Sequence, residues 1–316
     1  MADGRILLVK SGGEAAMPEW RAAFAAAAPH LDVRWWDDPA VDPADVAYVM
    51  VWEPEPGRLA TYPNLRLICS PGAGVDSITA DPSLPRHLPI LRMGGAEPAQ
   101  RMGEYVALAA LALLRGLKRI VDAQAARRWD YFDAPRTAPQ TRAGIMGLGN
   151  LGLRSAEMLR DIGFVTAGWS ATPKRIAGVE SFAGSGALDA FLARTDILVC
   201  LLPDTEQTRG MLNGRLFATL PPGAAVVNAA RGKLLVLPDL VAALDSGHLS
   251  GAVLDVFDPE PLPPDHPVWA HPRIIVTPHL ASLASRPARA RFVAQAIAAF
   301  ERGEPLPTLY DTARGY

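Results

Sequence analysis

Cysteine is nearly missing from this chain: Cys69 and Cys200 are its only two among 316 residues. Both sit inside apolar runs, LRLICS and DILVCLLP, where a thiol behaves as a small buried hydrophobe. Two such residues make no disulfide framework, and the expected compartment is a reducing cytoplasm. The metal spacings C-x-x-C and H-E-x-x-H do not occur, and His266, His271 and His279 stand among prolines at intervals unlike a ligand set, so no metal is expected. The G-x-S-x-G elbow of serine hydrolases is missing too. Basic charge has no excess, with 31 Lys and Arg against 33 Asp and Glu and a formal charge of −2, which argues against nucleic acid or an anionic membrane as partner. The opening MADGRILLVKSGG has four consecutive aliphatic residues before Lys10, too few for a signal peptide or a membrane span. A soluble protein is the expectation.

What the chain has is an α/β rhythm. Its length allows two domains of about 150 residues each. In the first third, RILLV (5–9), LDVRWW (31–36), VAYVMVW (46–52) and LRLICS (65–70) read as strands separated by helical or loop segments, which predicts α/β layers. A long Ala/Leu-rich helix is predicted over 97–121, EPAQRMGEYVALAALALLRGLKRIV. Its apolar positions are so continuous that burial on most sides is expected, with a role in joining domains or subunits. A polar loop, RRWDYFDAPRTAPQTR, follows, and a second α/β series opens near Ala143.

Between Ala224 and Ala281 three ionisable residues follow three successive apolar runs: Arg231 after AAVVNAA, Glu260 after GAVLDVFDP and His279 after RIIVTP. Runs this short, rich in Val, Ile and Leu and bounded by Gly and Pro, read as buried strands of a parallel sheet, whose carboxyl ends are where such folds bind ligands. A positive charge, a carboxylate and an imidazole converging there suit a small anionic carbonyl compound. Upstream, AGIMGLGNLGLRSAEML carries Gly147, Gly149 and Gly152 in G-x-G-x-x-G spacing. The first permits a tight turn, the second lets backbone approach a pyrophosphate, and the third lets helix pack closely on strand. Ile145 and Met146 suit a strand end before the motif, and the amphipathic LRSAEMLRDIG and the strand FVTAGWS follow it. In that context it reads as a dinucleotide site, with helix amides facing the phosphate charge.

These motifs, in this order, resemble the D-2-hydroxyacid dehydrogenases and, within that family, the glyoxylate/hydroxypyruvate reductase A group. The resemblance spans essentially the whole chain, through VWEPEP, GAGVDSI, MGEYVAL, GIMGLGNLG, CLLPDTEQT, NAARGKLL, GAVLDVFDPEPLP, TPHLAS and the terminal ARGY. It implies two doubly wound, Rossmann-like or flavodoxin-like domains, with the cofactor domain (95–282) inserted into a discontinuous substrate domain (1–94 and 283–316). The amphipathic stretch PARARFVAQAIAAFERG (287–303), left over after the second sheet, fits that return. The resemblance also implies a homodimeric reductase of glyoxylate or hydroxypyruvate, with Arg231 holding the substrate carboxylate, His279 donating the proton and Glu260 orienting His279. Asn150, Leu151, Leu202, Pro203 and Ala229 are implied as cofactor contacts, Asp255 as a contact near the nicotinamide carboxamide, and Trp52, Gly72, Ala73 and Gly74 as substrate contacts. A formate dehydrogenase of the same superfamily would carry glutamine at position 260, so that relative is disfavoured.

The chemistry can also be argued from the residues alone. Reducing a 2-oxo acid needs a hydride donor, a group for the carboxylate and an acid for the developing alkoxide. Guanidinium offers a planar, always charged fork, and a carboxylate beside an imidazole favours the protonated ring. Taken singly, each residue has a plainer reading: His279 as a structural hydrogen-bonder, Arg231 as a turn cap, Glu260 as a solvated side chain, Asp255 as a structural acceptor, Gly72 to Gly74 as an αL turn, Trp52 as core packing. Small residues at 72–74 can instead expose successive N–H groups as an anion nest. Trp129, in the polar loop, is expected to reach a partner subunit. Two rivals stay open at this point: a larger 2-oxo acid as substrate, and a dinucleotide-sensing binding protein without catalysis, since fold alone does not imply function. The loop LASLASRPARA is one residue longer than in the resembled group, leaving Arg286 as either a second carboxylate contact or a solvated charge.

Cofactor choice is read from the end of FVTAGWS. NAD-preferring folds place a carboxylate there, which bonds the ribose 2′-OH and repels a 2′-phosphate. Here Ser170 stands at that place, and Thr172, Lys174 and Arg175 follow within one short loop. NADP(H) is therefore expected over NAD(H), the alternative; a solvated basic loop is the plainer reading.

Overall fold

The computed structural model describes residues 6–312 and Gly315. Arg5 of the first expected strand, and Ala313, Arg314 and Tyr316 of the terminal ARGY, lie outside the described residues. The chain divides into two compact units, Met1–Glu97 with Leu283–Tyr316, and Pro98–Ser282. The first crossing falls inside the helix Ala96–Leu114, where the sequence reading placed it just ahead of that helix, at 94/95.

In the first unit, five parallel strands, β1 (Ile6–Lys10), β2 (Asp32–Trp35), β3 (Val46–Val51), β4 (Leu67–Cys69) and β5 (Ile90–Leu91), lie in the order β2-β1-β3-β4-β5. This is the flavodoxin-like order, with its switch point between β1 and β3. All six residues of β3 are buried, as a strand covered on both faces requires. The helices Met17–Ala27 and Arg286–Glu301 share one face: Trp20, Phe24, Val293 and Ile297 pack with Leu7, Val9 and Tyr48. The C-terminal helix thereby completes a core begun by the first thirty residues, and full burial of a side chain such as Phe24 contributes about 1.5–3 kcal/mol.

The second unit holds seven parallel strands, β6 (Arg142–Met146), β7 (Val165–Ser170), β8 (Glu180–Ala183), β9 (Ile197–Cys200), β10 (Ala224–Asn228), β11 (Leu249–Leu254) and β12 (Ile274–Val276), in the order β12-β11-β10-β9-β6-β7-β8. That is the Rossmann order with one strand added, its switch point between β6 and β9. Alternate residues feed two cores, one with Met146, Leu198 and Val226 against Phe191, Phe217 and Leu240, the other with Ile145, Val199 and Val227 against Tyr105, Val106 and Leu159. Both cysteines are buried and unbridged. Burial pushes the Cys200 thiol up to about 12 and raises Cys69 likewise, so neither is a thiolate nucleophile at neutral pH.

The Ala/Leu-rich helix departs from expectation in its continuity and, beyond Gly116, in its burial. It stops at Leu114 and resumes as Leu117–Ala125, because Gly116 takes the left-handed conformation at φ 63°. As far as Leu114 it is buried on most sides, through residues such as Met102, Gly103, Val106, Ala107, Ala110 and Ala112, with Arg101, Glu104, Leu108 and Leu111 along the exposed side, whereas Leu117–Ala125 buries Ala123 alone. Leu108 is 62% exposed, and Leu111, Leu117, Ile120 and Val121 are exposed with it, as are Trp129 (96%) and Tyr131 in the following segment. No helix among the described residues is long and apolar enough to cross a membrane.

Candidate active site

Arg231, Glu260 and His279 follow β10, β11 and β12, three neighbouring parallel strands, so all three leave the same carboxyl edge of the second sheet. His279 Nδ1 lies 2.7 Å from Glu260 Oε2, and Glu260 Oε1 accepts the Phe257 amide at 2.8 Å. Burial pushes the Glu260 carboxyl up, but the bonds from His279 and the Phe257 amide, with the charges of His279 and Arg231, outweigh it and hold the group below its ordinary value of 4.5.

The loop carrying His279 is braced by Asp255, which follows β11 and is 1% exposed. The Asp255 carbonyl accepts the His279 amide at 2.8 Å; its Oδ1 accepts the Thr277 hydroxyl at 2.6 Å and the Leu280 amide at 3.0 Å, and its Oδ2 the Ala281 amide at 2.9 Å. A buried carboxylate needs such donors. They also hold His279 at φ 52°, a left-handed conformation that costs a non-glycine residue about 1–3 kcal/mol. Thr277 Oγ1 in turn lies 2.7 Å from the Tyr105 hydroxyl on the long helix.

Arg231 is set by its neighbours. Asn228, fully buried at the end of β10, donates through Nδ2 to the Arg231 carbonyl at 3.1 Å and accepts the Ala230 amide at 3.2 Å. Arg231 Nη1 donates to the Ala230 carbonyl at 2.7 Å. Gly232 admits no side chain, since a Cβ there would stand 2.0 Å from the Phe257 carbonyl carbon. That contact locks the Arg231 loop against the loop bearing Glu260. Asn228, Gly232, Thr277 and Tyr105 are not among the sequence candidates. Gly232 directly after the arginine and Thr277 two residues before the histidine carry a local signal, whereas nothing local marks Tyr105, 172 positions from its partner.

The glycine motif fits a dinucleotide. Gly147 has φ 100°, and a Cβ on Gly152 would stand 1.8 Å from the Gly147 carbonyl oxygen. A Cβ on Gly149 would meet nothing within 4 Å, so backbone there is approachable at the start of the helix Asn150–Ile162. Asn150 and Leu151 open that helix, Leu202 and Pro203 follow β9, and Ala229 follows β10, all at the carboxyl edge. Ser170 is buried and donates its hydroxyl to the Thr172 carbonyl at 2.8 Å, shaping the loop after β7. Thr172, Lys174 and Arg175 on that loop are exposed, and neither cation pairs with a carboxylate among the described residues.

In the first unit, Trp52 follows β3 and Gly72, Ala73 and Gly74 follow β4. A Cβ on Gly72 would stand 3.1 Å from the Trp52 ring, so the missing side chain is what lets the indole lie there. Neither glycine has positive φ, so these residues do not form an αL turn. Ser70 Oγ donates to the Gly74 carbonyl at 2.7 Å and accepts the Gly72 amide at 3.2 Å, while Arg92 Nε donates to the Ala73 carbonyl at 2.9 Å. The amides of Ala73 and Gly74 bond no protein acceptor among the described residues, so both are left for another acceptor.

A pH experiment probes the Glu260–His279 pair. Because the Glu260 carboxyl is held down, the pair's contribution stands above its ordinary value of 4.5 and is lost as pH falls through the depressed one. In Glu260→Gln that acid-side loss of thermal stability should disappear, since the depressed carboxyl is gone. A Tm-against-pH profile identical to the wild type would refute the coupling.

Residues 107–281, more than half the chain, match the family model for the NAD binding domain of D-isomer specific 2-hydroxyacid dehydrogenases. Over 303 residues the chain is 39% identical to glyoxylate/hydroxypyruvate reductase A of Serratia proteamaculans (strain 568), covering 94% of this chain and 96% of that protein. A D-isomer specific 2-hydroxyacid dehydrogenase from Xanthobacter autotrophicus Py2, solved in complex with NADPH and MES, is 41% identical with a TM-score of 0.92, over 99% of this chain and 100% of that one. The NADPH-dependent glyoxylate/hydroxypyruvate reductase of Sinorhizobium meliloti, solved with NADP and sulfate, is 38% identical with a TM-score of 0.88, over 98% and 99%. Similarity over nearly the whole chain coincides with the sheet order and the strand-end residues described above: the chain belongs to the D-isomer specific 2-hydroxyacid dehydrogenase family.

Proposed function

We propose that the chain is an NADPH-dependent reductase of small 2-oxo acids, converting glyoxylate to glycolate and hydroxypyruvate to D-glycerate, as the names of its reductase A relatives suggest. The observation that carries this reading is the His279–Glu260 bond beside the Arg231 charge, at the carboxyl edge of a dinucleotide-binding sheet. NADPH, when bound, would supply the hydride; Gly147, Gly149, Asn150, Leu151, Gly152, Leu202, Pro203, Ala229 and Asp255 are the residues assigned to hold it. Arg231 holds the substrate carboxylate and polarises the carbonyl. Trp52 and the amides of Ala73 and Gly74 are assigned to the substrate as well. His279, oriented through Nδ1 by Glu260, gives a proton from Nε2 to the carbonyl oxygen. A protein that only senses a dinucleotide has no use for a carboxylate-oriented histidine beside an arginine, and this favours catalysis. Following nicotinamide absorbance with a panel of 2-oxo acids tests the reading. No turnover of glyoxylate or hydroxypyruvate would overturn it, and turnover of longer acids alone would move it to the larger-substrate alternative.

Cofactor preference follows from the loop after β7. A charge-assisted hydrogen bond contributes about 1.5–3 kcal/mol, so one or two from Lys174, Arg175 or Thr172 to a 2′-phosphate favour NADPH over NADH by roughly ten- to a thousandfold. Lys174→Ala with Arg175→Ala should raise the KM for NADPH and leave that for NADH nearly unchanged. Equal wild-type efficiency with both cofactors would show this reading of the loop to be wrong.

A homodimer belongs to the same proposal. Leu108, Leu111, Leu117, Ile120 and Val121, with Trp129 and Tyr131 beyond them, are large apolar side chains left exposed within the one stretch 108–131, the kind of surface that association covers. Sedimentation equilibrium should report twice 33.7 kDa, and a single-chain mass at micromolar concentration would rule the dimer out. Two buried, unbridged thiols suit the cytoplasm, which is the proposed location.

A further inference from the structure

Arg289 carries a charge that its surroundings do not balance. It lies on the helix Arg286–Glu301, is 7% exposed, and stacks its guanidinium over the Trp20 ring at 4.9 Å from the centroid. Among the described residues its one hydrogen bond runs from Nη1 to the Ser11 hydroxyl at 3.2 Å, and no carboxylate pairs with it. Its Nε is buried with no partner. Burying a guanidinium is costly unless its charge and its donors are met.

The neighbouring charges do not meet them. Arg286, one turn earlier, repels Arg289, and its own Nε is likewise buried with no partner. Glu19 pairs with Arg286. Glu97 attracts Arg289, but its two oxygens accept the Ser285 amide at 2.8 Å and the Ser285 hydroxyl at 3.1 Å. Burial and then Arg286 lower Arg289 to about 10, which leaves it charged at neutral pH. Two guanidiniums thus lie side by side, each with an unmatched Nε. The loop leaving the carboxyl end of β1 touches them: a Cβ on exposed Gly12 would stand 3.3 Å from Arg286 Nη2, and Ser11 already bonds Arg289. That loop lies at the switch point of the first sheet, where folds of this order bind ligands.

We propose that Arg289 and Arg286, with the Ser11 hydroxyl and the Gly12 backbone, form a binding site for a small oxyanion, either a carboxylate or phosphate. The Nε and Nη donors of a guanidinium make the fork that takes two oxygens of one anion, and an anion here supplies both the missing charge and the missing acceptors. All of these residues belong to the first unit, whereas Arg231, Glu260 and His279 belong to the second. An anion that binds the folded chain alone also stabilises it by mass action.

Calorimetric titration of the full chain with inorganic phosphate, and separately with acetate, tests the site. Using Arg231→Met as the background removes the arginine assigned to the substrate carboxylate, so the outcome does not depend on the proposed reductase activity. Saturable binding is expected, and the component that weakens roughly tenfold or more when Arg289→Met is added belongs to this site. The tighter of the two anions identifies the source. Arg289→Lys, which keeps the charge and loses the fork, should weaken binding as well, and it serves as the test if the methionine variant does not fold. In parallel, phosphate or acetate should raise the wild-type Tm and leave that of the Arg289 variant unmoved. Failure of both anions to bind saturably, or equal binding with and without Arg289, would overturn the site.

Discussion

Replacing His279 by alanine lowers the rate of 2-oxo acid reduction by about 10²- to 10⁴-fold, the span expected when a positioned general acid is lost. The size follows from how the ring is held. Glu260 engages Nδ1 at 2.7 Å, which fixes the imidazole's orientation and directs Nε2 to proton transfer. The loop beneath it does not depend on the ring. The amides of His279, Leu280 and Ala281 bond Asp255 through backbone atoms, and the Thr277 hydroxyl adds a fourth bond, so the alanine variant keeps the loop. The loss should therefore fall on kcat, with any fall in Tm limited to what the Glu260–His279 bond contributes. Activity that survives with an unchanged pH profile would mean that another residue donates the proton.

That the three strand-end residues can be picked from sequence, while their supports cannot, has a physical cause. AAVVNAA, GAVLDVF and RIIVT are short apolar runs bounded by Gly and Pro, and parallel strands must lead their next residues to one edge of the sheet. Arg231, Glu260 and His279 are therefore brought together by a rule about strands. Glu260 meeting His279 rather than solvent depends on loop shapes that no period encodes, including the close approach of Gly232 to Phe257. Asp255 is legible as a carboxylate needing donors, but which donors it finds depends on the fold of 277–281. Tyr105 meets Thr277 only because the long helix lies on the second sheet. Beyond Gly116 the Ala/Leu run misleads for a related reason: apolar periodicity reports a tendency to be covered without naming the cover, and Ile120 and Val121 are left exposed. The break at Gly116 was signalled by the glycine, yet the apolar pattern on both sides reads straight through it.

Arg231→Ala should lose roughly 3 kcal/mol of transition-state stabilisation, a hundredfold or more in kcat/KM. The arginine is preorganised: Asn228 fixes its turn from inside the sheet, Gly232 fixes the loop against its neighbour, and Nη1 is anchored on the Ala230 carbonyl. Little ordering remains to be done when a substrate carboxylate arrives, so removing the charge forfeits most of what the site was built to deliver. A second effect acts in the same direction. Arg231 is one of the charges holding the Glu260 carboxyl down, so its loss also weakens the group that orients His279. The two effects separate in the kinetics. Lost grip on the carboxylate raises KM, while lost polarisation of the carbonyl and a less well-oriented acid lower kcat, and both changes are expected together. Arg231→Lys should recover only part of the loss, because an ammonium restores the charge without the planar fork that matches a carboxylate. A tenfold or smaller fall in kcat/KM for the alanine variant, or full recovery with lysine, would sink the assignment of Arg231 to the substrate carboxylate.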